Sequence, residues 1–306
     1  MLPIDLFERI TRQIISEIQA GAGAYQMPWH RWGEGTAQPI NAINGRSYRG
    51  INILLLWAAA EAAGYASGQW ATYRQWAEAG GQVRKGEKST VILFWKNACK
   101  SKTKADEAEE VGPGRTRFVA RTFCVFNSEQ VDGIEPSVSL PVLSPEERVE
   151  TADAFVAATG ANIRHGGDVA CYVADVDQIW LPQFAQFRDV ESYYSVLAHE
   201  CVHWSGAAHR LNRNLSSRFG SESYAMEELI AEIGAAFIAG HLSLAIEPRR
   251  DHAAYIASWL RILRDDPRAI LTAAAKSQEA ADYLIGFSAD RIIRSGKGPE
   301  HVLAHA

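Results

Sequence analysis

The 306-residue sequence predicts an α+β protein of two domains. Two runs rich in β-branched and aromatic residues stand within residues 1–135, whereas helical spacing of apolar residues dominates residues 146–306. Residues 136–145 contain three prolines and three serines without a helical period, which is typical of an interdomain linker. With 47% hydrophobic and 22% charged residues, the composition excludes a disordered or fibrous chain. We expect a mixed α+β first domain and a mostly helical second domain.

The elements of the first domain follow from the spacing of its apolar residues. Apolar residues at three- and four-residue steps predict an amphipathic helix over residues 4–20. A stretch rich in Leu and Ala predicts a buried helix over residues 52–63, and a shorter helix is expected over residues 72–79. The β-type runs at residues 90–96 and 117–126 predict two strands, and the polar segment between them predicts a long hairpin loop.

The second domain is expected to begin with a clearly marked helix. Ser144 is a typical N-cap, Pro145 suits the first helical position, and Glu147 completes a capping box. Short apolar runs predict strands at residues 169–173 and 179–181. The remaining apolar periodicity predicts helices over residues 192–205, 224–240, 251–264 and 267–285.

Charge is unevenly distributed along the chain. Lys and Arg number 16 against 14 Asp and Glu up to residue 140, and 15 against 22 after it. The two ends are therefore expected to bind different partners. No apolar run reaches the roughly 18–20 residues of a membrane span, and the N-terminus lacks a secretory pattern. Four cysteines without a CxxC pair are typical of free thiols, so we expect a cytoplasmic protein without a membrane partner.

The segment LAHECVHWSG, residues 197–206, carries the pattern H-E-x-x-H. On a helix, His199 and His203 lie one turn apart on the same face, where two imidazole nitrogens can bind one Zn²⁺ or another divalent ion. Glu200 then lies close enough to activate water as the general base. The sequence therefore predicts one metal ion per chain, with Glu200 as the catalytic residue.

A third metal ligand has two candidates. Glu228 and Glu232 lie on an otherwise apolar helix, where buried carboxylates need a counter-charge such as a metal. The arrangement resembles the gluzincins, which implies that Glu228 is the third ligand and that Glu232 contacts a ligand histidine. Residues 199–209 also fit the metzincin string, with His209 as the ligand and Met226 downstream. That interpretation leaves both glutamates without a partner, so Glu228 is favoured.

Basic and aromatic residues alternate in two stretches of the first domain, residues 44–52 and 69–89. Cations follow phosphates and exposed rings stack on bases, so this mixture suits single-stranded nucleic acid, although several aromatics must fill the core. The candidate DNA contacts are Arg46, Tyr48, Arg49, Trp70, Tyr73, Arg74, Trp76, Arg84, Lys85 and Lys88.

Several segments resemble, in colinear order, the ArdC-type antirestriction proteins and plasmid-transfer primases: NGRSYRGINILLLW, GGQVRKGEKSTVILFWK, FCVFNSEQVDGI, YYSVLAHECVHWSGAAHRLNR and YAMEELIAEIGAAF. The resemblance implies a single-stranded-DNA-binding domain at residues 1–135 and a zincin-like metallopeptidase domain at residues 146–306. It implies protection of plasmid DNA from restriction during conjugation. A restriction-system protein is a further candidate partner. His209 departs from the family pattern, which also favours Glu228. The alternative is a cytosolic zinc metallopeptidase whose N-terminal domain recognises a protein substrate.

Overall fold

The computed structural model combines a mixed β-sheet with a group of packed helices. It describes eight helical residues between positions 8 and 19 and the ranges 38–97, 118–134, 144–213, 221–244 and 253–294. Helices and strands are both abundant in these ranges, so the predicted α+β class is confirmed. The helix predicted over residues 4–20 is described only in part, and the hairpin loop and most of the linker lie outside the described residues.

A four-stranded sheet is the base of the first region. The strands of this region are β1 (Ile40–Asn41), β2 (Gln69–Thr72), β3 (Gln82–Val83), β4 (Thr90–Asn97), β5 (Phe118–Asn127) and β6 (Val131–Asp132). The sheet has the order β1-β2-β5-β4, and β4 and β5 form a long antiparallel hairpin in which Ile92 lies opposite Phe123. The strands β3 and β6 form a separate antiparallel pair. Of these strands, only β4 and β5 were predicted from the sequence, because the others are four residues or shorter.

Two helices accompany this sheet. Helix α1 (Ile51–Ala63) packs on the sheet where its Leu56 joins Trp70 and Val125 in a buried apolar cluster. The short helix α2 (Tyr73–Glu78) begins after Thr72, whose side chain accepts a hydrogen bond from the Gln75 backbone in a capping box. Both helices match the predicted positions to within a residue.

The second region begins with helix α3 (Pro145–Thr159), which has the predicted capping box between Ser144 and Glu147. A three-stranded sheet follows, formed by β7 (Asn162–His165), β8 (Cys171–Val173) and β9 (Gln178–Leu181). Its strand order is β7-β9-β8, so β8 is an edge strand that pairs antiparallel with β9. The strand β7 was not predicted.

The remaining helices are α4 (Val190–Ser205), α5 (Glu222–Leu242), α6 (Ala253–Asp265) and α7 (Ala269–Arg294). They pack around α5, which is buried along most of its length. Within the described ranges, every helix is too short or too polar to cross a lipid bilayer. The described cysteines Cys124, Cys171 and Cys201 are free thiols.

Helix α1 also contacts the second region. Trp57 of α1 lies 6.1 Å, between ring centroids, from Phe237 of α5, and both belong to the largest buried cluster. The backbone N–H of Gly50 donates to Gln278 of α7, and Arg49 forms an ion pair with Asp282 of the same helix. Helix α1 thus covers part of the helical core of the second region. The predicted domain boundaries at residues 135 and 146 therefore stay a prediction, and binding tests require the full chain.

Candidate metal centre

Helix α4 brings the H-E-x-x-H residues into the protein interior. His199 and Glu200 are each 4% exposed, and Leu197, Cys201 and Val202 of the same helix belong to the largest buried cluster. Asp189 is the N-cap of this helix, and its side chain accepts a hydrogen bond from the backbone N–H of Ser192. One turn separates the two histidines, and their Nε2 atoms lie 3.2 Å apart.

Helix α5 completes the cluster with Glu228. One carboxylate oxygen of Glu228 lies 3.5 Å from His199 Nε2, and the other lies 3.6 Å from His203 Nε2. Tetrahedral zinc ligands at about 2.0–2.1 Å from the ion are about 3.3 Å from one another. The spacing of these three donors therefore fits one divalent ion, and together they are the metal-ligand cluster.

His209, the alternative third ligand, does not belong to the metal-ligand cluster. Its side chain is 63% exposed, and its Nε2 lies 3.5 Å from Asp177 and 2.6 Å from the Arg210 guanidinium. The structure therefore favours Glu228, although His209 fits the sequence spacing equally well.

A glycine allows α5 to approach α4 at this site. A Cβ atom placed on Gly234 would lie 2.9 Å from Val202 Cγ2, closer than side chains tolerate. Without that Cβ atom the two helices pack tightly, and Glu228 lies beside His199.

A further glutamate lies beside the Nδ1 atom of each histidine. Glu232 Oε2 lies 3.4 Å from His199 Nδ1, so the structure brings Glu232 next to a ligand histidine. Glu227 Oε1 lies 3.3 Å from His203 Nδ1. Glu227 was not among the residues predicted from the sequence, although an additional carboxylate on a helix this apolar was a signal there.

Opposing effects act on the ionisation of Glu228. Burial raises the pKa of its carboxyl group, but the hydrogen bond with His199, the charges of both histidines and the Tyr224 hydroxyl outweigh burial and hold the pKa at about 2. The group is therefore ionised at neutral pH, as a metal ligand must be.

Glu200 is held by the edge of the small sheet. The backbone N–H of Tyr172 in β8 donates to Glu200 Oε2 at 2.8 Å. This contact joins the predicted general base on α4 to the edge strand β8.

The predicted DNA contacts do not form one surface. Trp70 and Trp76 are 1% and 0% exposed, and the Trp76 indole N–H donates to the Phe126 carbonyl. A base can stack only on an exposed ring face, so the prediction is wrong for these two residues. Their large apolar rings instead fill two separate buried clusters, Trp70 with Leu56 and Trp76 with Ala71.

The Tyr48 hydroxyl also has hydrogen-bond partners inside the protein. Its hydroxyl donates to the Trp70 carbonyl at 3.2 Å, and burial raises its pKa to about 12 despite a hydrogen bond from Asn41. The remaining candidates are exposed: Arg46, Arg49, Tyr73, Arg74, Arg84, Lys85 and Lys88.

Three of the exposed arginines have carboxylate partners. Arg49 pairs with Asp282, Arg74 with Glu78, and Arg84 with Glu87 and Asp132. Ion pairs in water contribute little stability, so a phosphate group can replace the carboxylate partner.

An exposed aromatic pair was missed by the sequence analysis. Phe94 of β4 and Phe123 of β5 are 55% and 43% exposed, and their ring centroids lie 6.1 Å apart in an edge-to-face contact. The exposed Arg121 lies directly opposite Phe94 in the hairpin. We call these three residues the hairpin patch.

Two protein-family models match this chain in succession. The model for the N-terminal domain of anti-restriction factor ArdC matches residues 4–126. The model for a zincin-like metallopeptidase matches residues 150–276.

Whole-chain comparisons agree with these matches. The protein y4eC of Sinorhizobium fredii is 51% identical to this chain, and the alignment covers 92% of each of the two chains. A DNA primase TraC of Escherichia coli is 38% identical over 93% of this chain, which spans only 27% of that primase. The crystal structure of antirestriction ArdC from plasmid R388 superposes with a TM-score of 0.75 at 38% identity, covering 94% of this chain and 98% of that one. Its Mn(II)-bound form gives a TM-score of 0.73, covering 93% and 98%. The cluster and this relative together indicate a divalent-metal site.

Proposed function

This chain belongs to the ArdC antirestriction family, and from that premise we propose that it binds single-stranded DNA and protects incoming plasmid DNA from restriction during conjugation. The resemblance expected from the sequence is thereby confirmed at the level of the family. The proposal is carried by the match to the R388 protein along almost the full length of both chains. Such an activity belongs in the cytoplasm, where restriction enzymes meet incoming DNA. A restriction-system protein is a further candidate partner.

The hairpin patch is the best-supported DNA contact. Phe94 and Phe123 offer exposed rings, and each base stacked on an aromatic side chain contributes about 1–3 kcal/mol. Arg121 lies opposite Phe94, where a cation can bind the phosphate next to a stacked base. Stacking tolerates every base, so this surface supports binding without marked sequence preference.

The distribution of charge along the sequence also favours a DNA contact in the first region. Between Arg74 and Arg121 the sequence has 11 basic residues against 6 acidic ones, whereas the chain beyond residue 140 has an excess of acidic residues. A phosphate backbone is attracted to the first part and repelled by the second.

In the second region we propose one divalent ion, with zinc as the first candidate, bound by His199, His203 and Glu228. Such an ion would supply Lewis acidity toward a carbonyl group or water. Glu200 would accept a proton at its carboxylate, which the Tyr172 backbone N–H holds in place.

A cytosolic zinc metallopeptidase whose N-terminal domain recognises a protein is the alternative function. It is favoured by Glu200, which is buried and follows the ligand candidate His199 in the chain, because a purely structural ion needs no general base. The two functions differ in whether oligonucleotides bind at all.

The experiment is a titration of full-length protein with fluorescent single- and double-stranded oligonucleotides. We expect tighter binding to single strands, and a Phe94→Ala, Phe123→Ala double variant should lose at least about tenfold in affinity because two stacking rings are removed. Phe184→Ala is the matched control, since Phe184 is also 48% exposed but lies in the second region. Absence of oligonucleotide binding by the wild type would support the peptidase function instead.

A further inference from the structure

The loop after α4 contains two arginines that are almost fully buried. The side chains of Arg210 and Arg213 are 6% and 5% exposed, although arginine is rarely buried without charged partners. Arg213 donates to both carboxylate oxygens of Glu227, from Nε to Oε2 at 3.1 Å and from a terminal nitrogen to Oε1 at 3.0 Å. It also donates to Ser205 Oγ at 3.1 Å and to the Val202 carbonyl. The guanidinium therefore ties Glu227 to the C-terminal end of α4.

Glu227 in turn contacts His203. Its Oε1 lies 3.3 Å from Nδ1, and because an ionised carboxylate can only accept, His203 must donate from Nδ1. When this imidazole is neutral, its lone pair is then on Nε2, the atom that lies 3.2 Å from His199 Nε2 in the metal-ligand cluster. A continuous set of contacts thus joins Arg213, through Glu227 and His203, to the metal-ligand cluster.

We propose that Arg213 and Glu227 are positioning residues, which hold His203 in the tautomer and orientation that present Nε2 to a divalent ion. The inference rests on the proposed metal site and assigns separate roles to two adjacent carboxylates. Both oxygens of Glu227 are engaged by Arg213, whereas the oxygens of Glu228 lie against the two Nε2 atoms. Outer carboxylate partners of this kind typically contribute about 10- to 100-fold to metal affinity.

Arg210 provides a matched control within the same loop. It donates to the Trp204 carbonyl at 2.6 Å, to the Tyr172 hydroxyl at 3.2 Å and to Asp177, and it lies 3.8 Å above the Trp204 ring. These contacts tie the loop to the β8 side and not to α5. Replacing Arg210 therefore removes an equally buried guanidinium without touching Glu227 or His203.

The first test measures the Zn²⁺ affinity of the full-length chain by competition with a chromophoric chelator. We expect Glu227→Gln and Arg213→Lys to weaken binding about 10- to 100-fold, and Arg210→Lys to change it less than about threefold. A general loss of packing would affect both arginine variants equally, so equal losses would overturn the proposal. If the wild type binds no divalent ion, the metal site fails as well; if it binds and Glu227→Gln binds equally, only this inference fails.

The second test is made without a metal ion, so its result does not depend on whether a variant binds metal. Imidazole ¹⁵N NMR of the ion-free protein reports which nitrogen of His203 is protonated. We expect Nδ1–H in the wild type and in Arg210→Lys, and a mixture of tautomers in Glu227→Gln, because an amide can also donate to Nδ1. Finding Nε2–H in the wild type would overturn the proposal.

Discussion

The two regions of this protein hold their charged groups in opposite ways. Around the metal-ligand cluster, the buried Glu227 contacts histidine and arginine, and Glu228, whose side chain is only 12% exposed, contacts two histidines. In the first region, Arg74 and Arg84 form their ion pairs at the surface. A buried charge that loses its partner is left uncompensated, while an exposed charge is screened by water and salt. Single substitutions are therefore expected to have large and mutually dependent effects in the second region, and small, separate effects in the first.

The largest effect is expected at the ligands themselves. His199→Ala, His203→Ala and Glu228→Ala each remove one of three donors and should reduce metal affinity by more than about 100-fold, beyond the effect of outer partners. The measurement is metal content of purified protein by mass spectrometry. His209→Ala should retain the ion, because His209 lies outside the cluster. Loss of the ion from His209→Ala with retention in Glu228→Ala would establish the metzincin arrangement instead.

The next effect concerns the general base. Glu200→Gln leaves all three donors in place, so metal content should not change, while any peptidase activity should fall by roughly 10²- to 10⁴-fold. Protection of a transferred plasmid is expected to survive if it works by coating DNA, because Glu200 lies in the region with excess acidic residues. Plasmid transfer into restricting and non-restricting recipients provides the measurement. Loss of protection with normal oligonucleotide binding would contradict the coating mechanism.

A third prediction uses two helical glycines that differ in their surroundings. Gly234→Ala inserts a methyl group against Val202 and should lower stability by about 1–3 kcal/mol while separating α4 from α5. Gly286→Ala on α7 is the control: nothing lies within 4 Å of its added Cβ, so better helix propensity should stabilise the protein by about 0.5–1 kcal/mol. Chemical denaturation checks both values. Equal stability changes would mean that the helix contact at Gly234 is not tight.

The smallest effects are expected at the exposed basic residues of the first region. Arg46→Ala, Arg84→Ala, Lys85→Ala and Lys88→Ala should each weaken oligonucleotide binding less than about tenfold, and each lost phosphate contact should reduce the slope of log K against log salt by about 0.7. Lys276→Ala, an exposed lysine on α7, should change neither quantity. Anisotropy titrations at several salt concentrations provide the measurement. Binding that ignores salt would contradict a phosphate-contacting surface.

Local sequence patterns determine much of this protein. The capping box at Ser144 and the helices α1, α2 and α4 depend on neighbours within a few residues. Their positions could therefore be predicted accurately from the sequence. The spacing of His199 and His203 predicted a shared face for the same reason, since one helical turn fixes it. Glu228 required a second helix, but a carboxylate on an apolar helix was itself a local signal.

Tertiary packing decided the rest, because the exposure of a side chain depends on which distant elements cover it. Trp70 of β2 and Trp76 of α2 are buried in two apolar clusters. Phe94 and Phe123 face water, although a strand pattern alone does not distinguish them from core residues. Glu227 acquired its role only when the loop after α4 brought Arg213 against it. The sequence by itself thus identified the chemistry that short-range spacing encodes, and the folded chain decided which aromatic and charged groups are available to a partner.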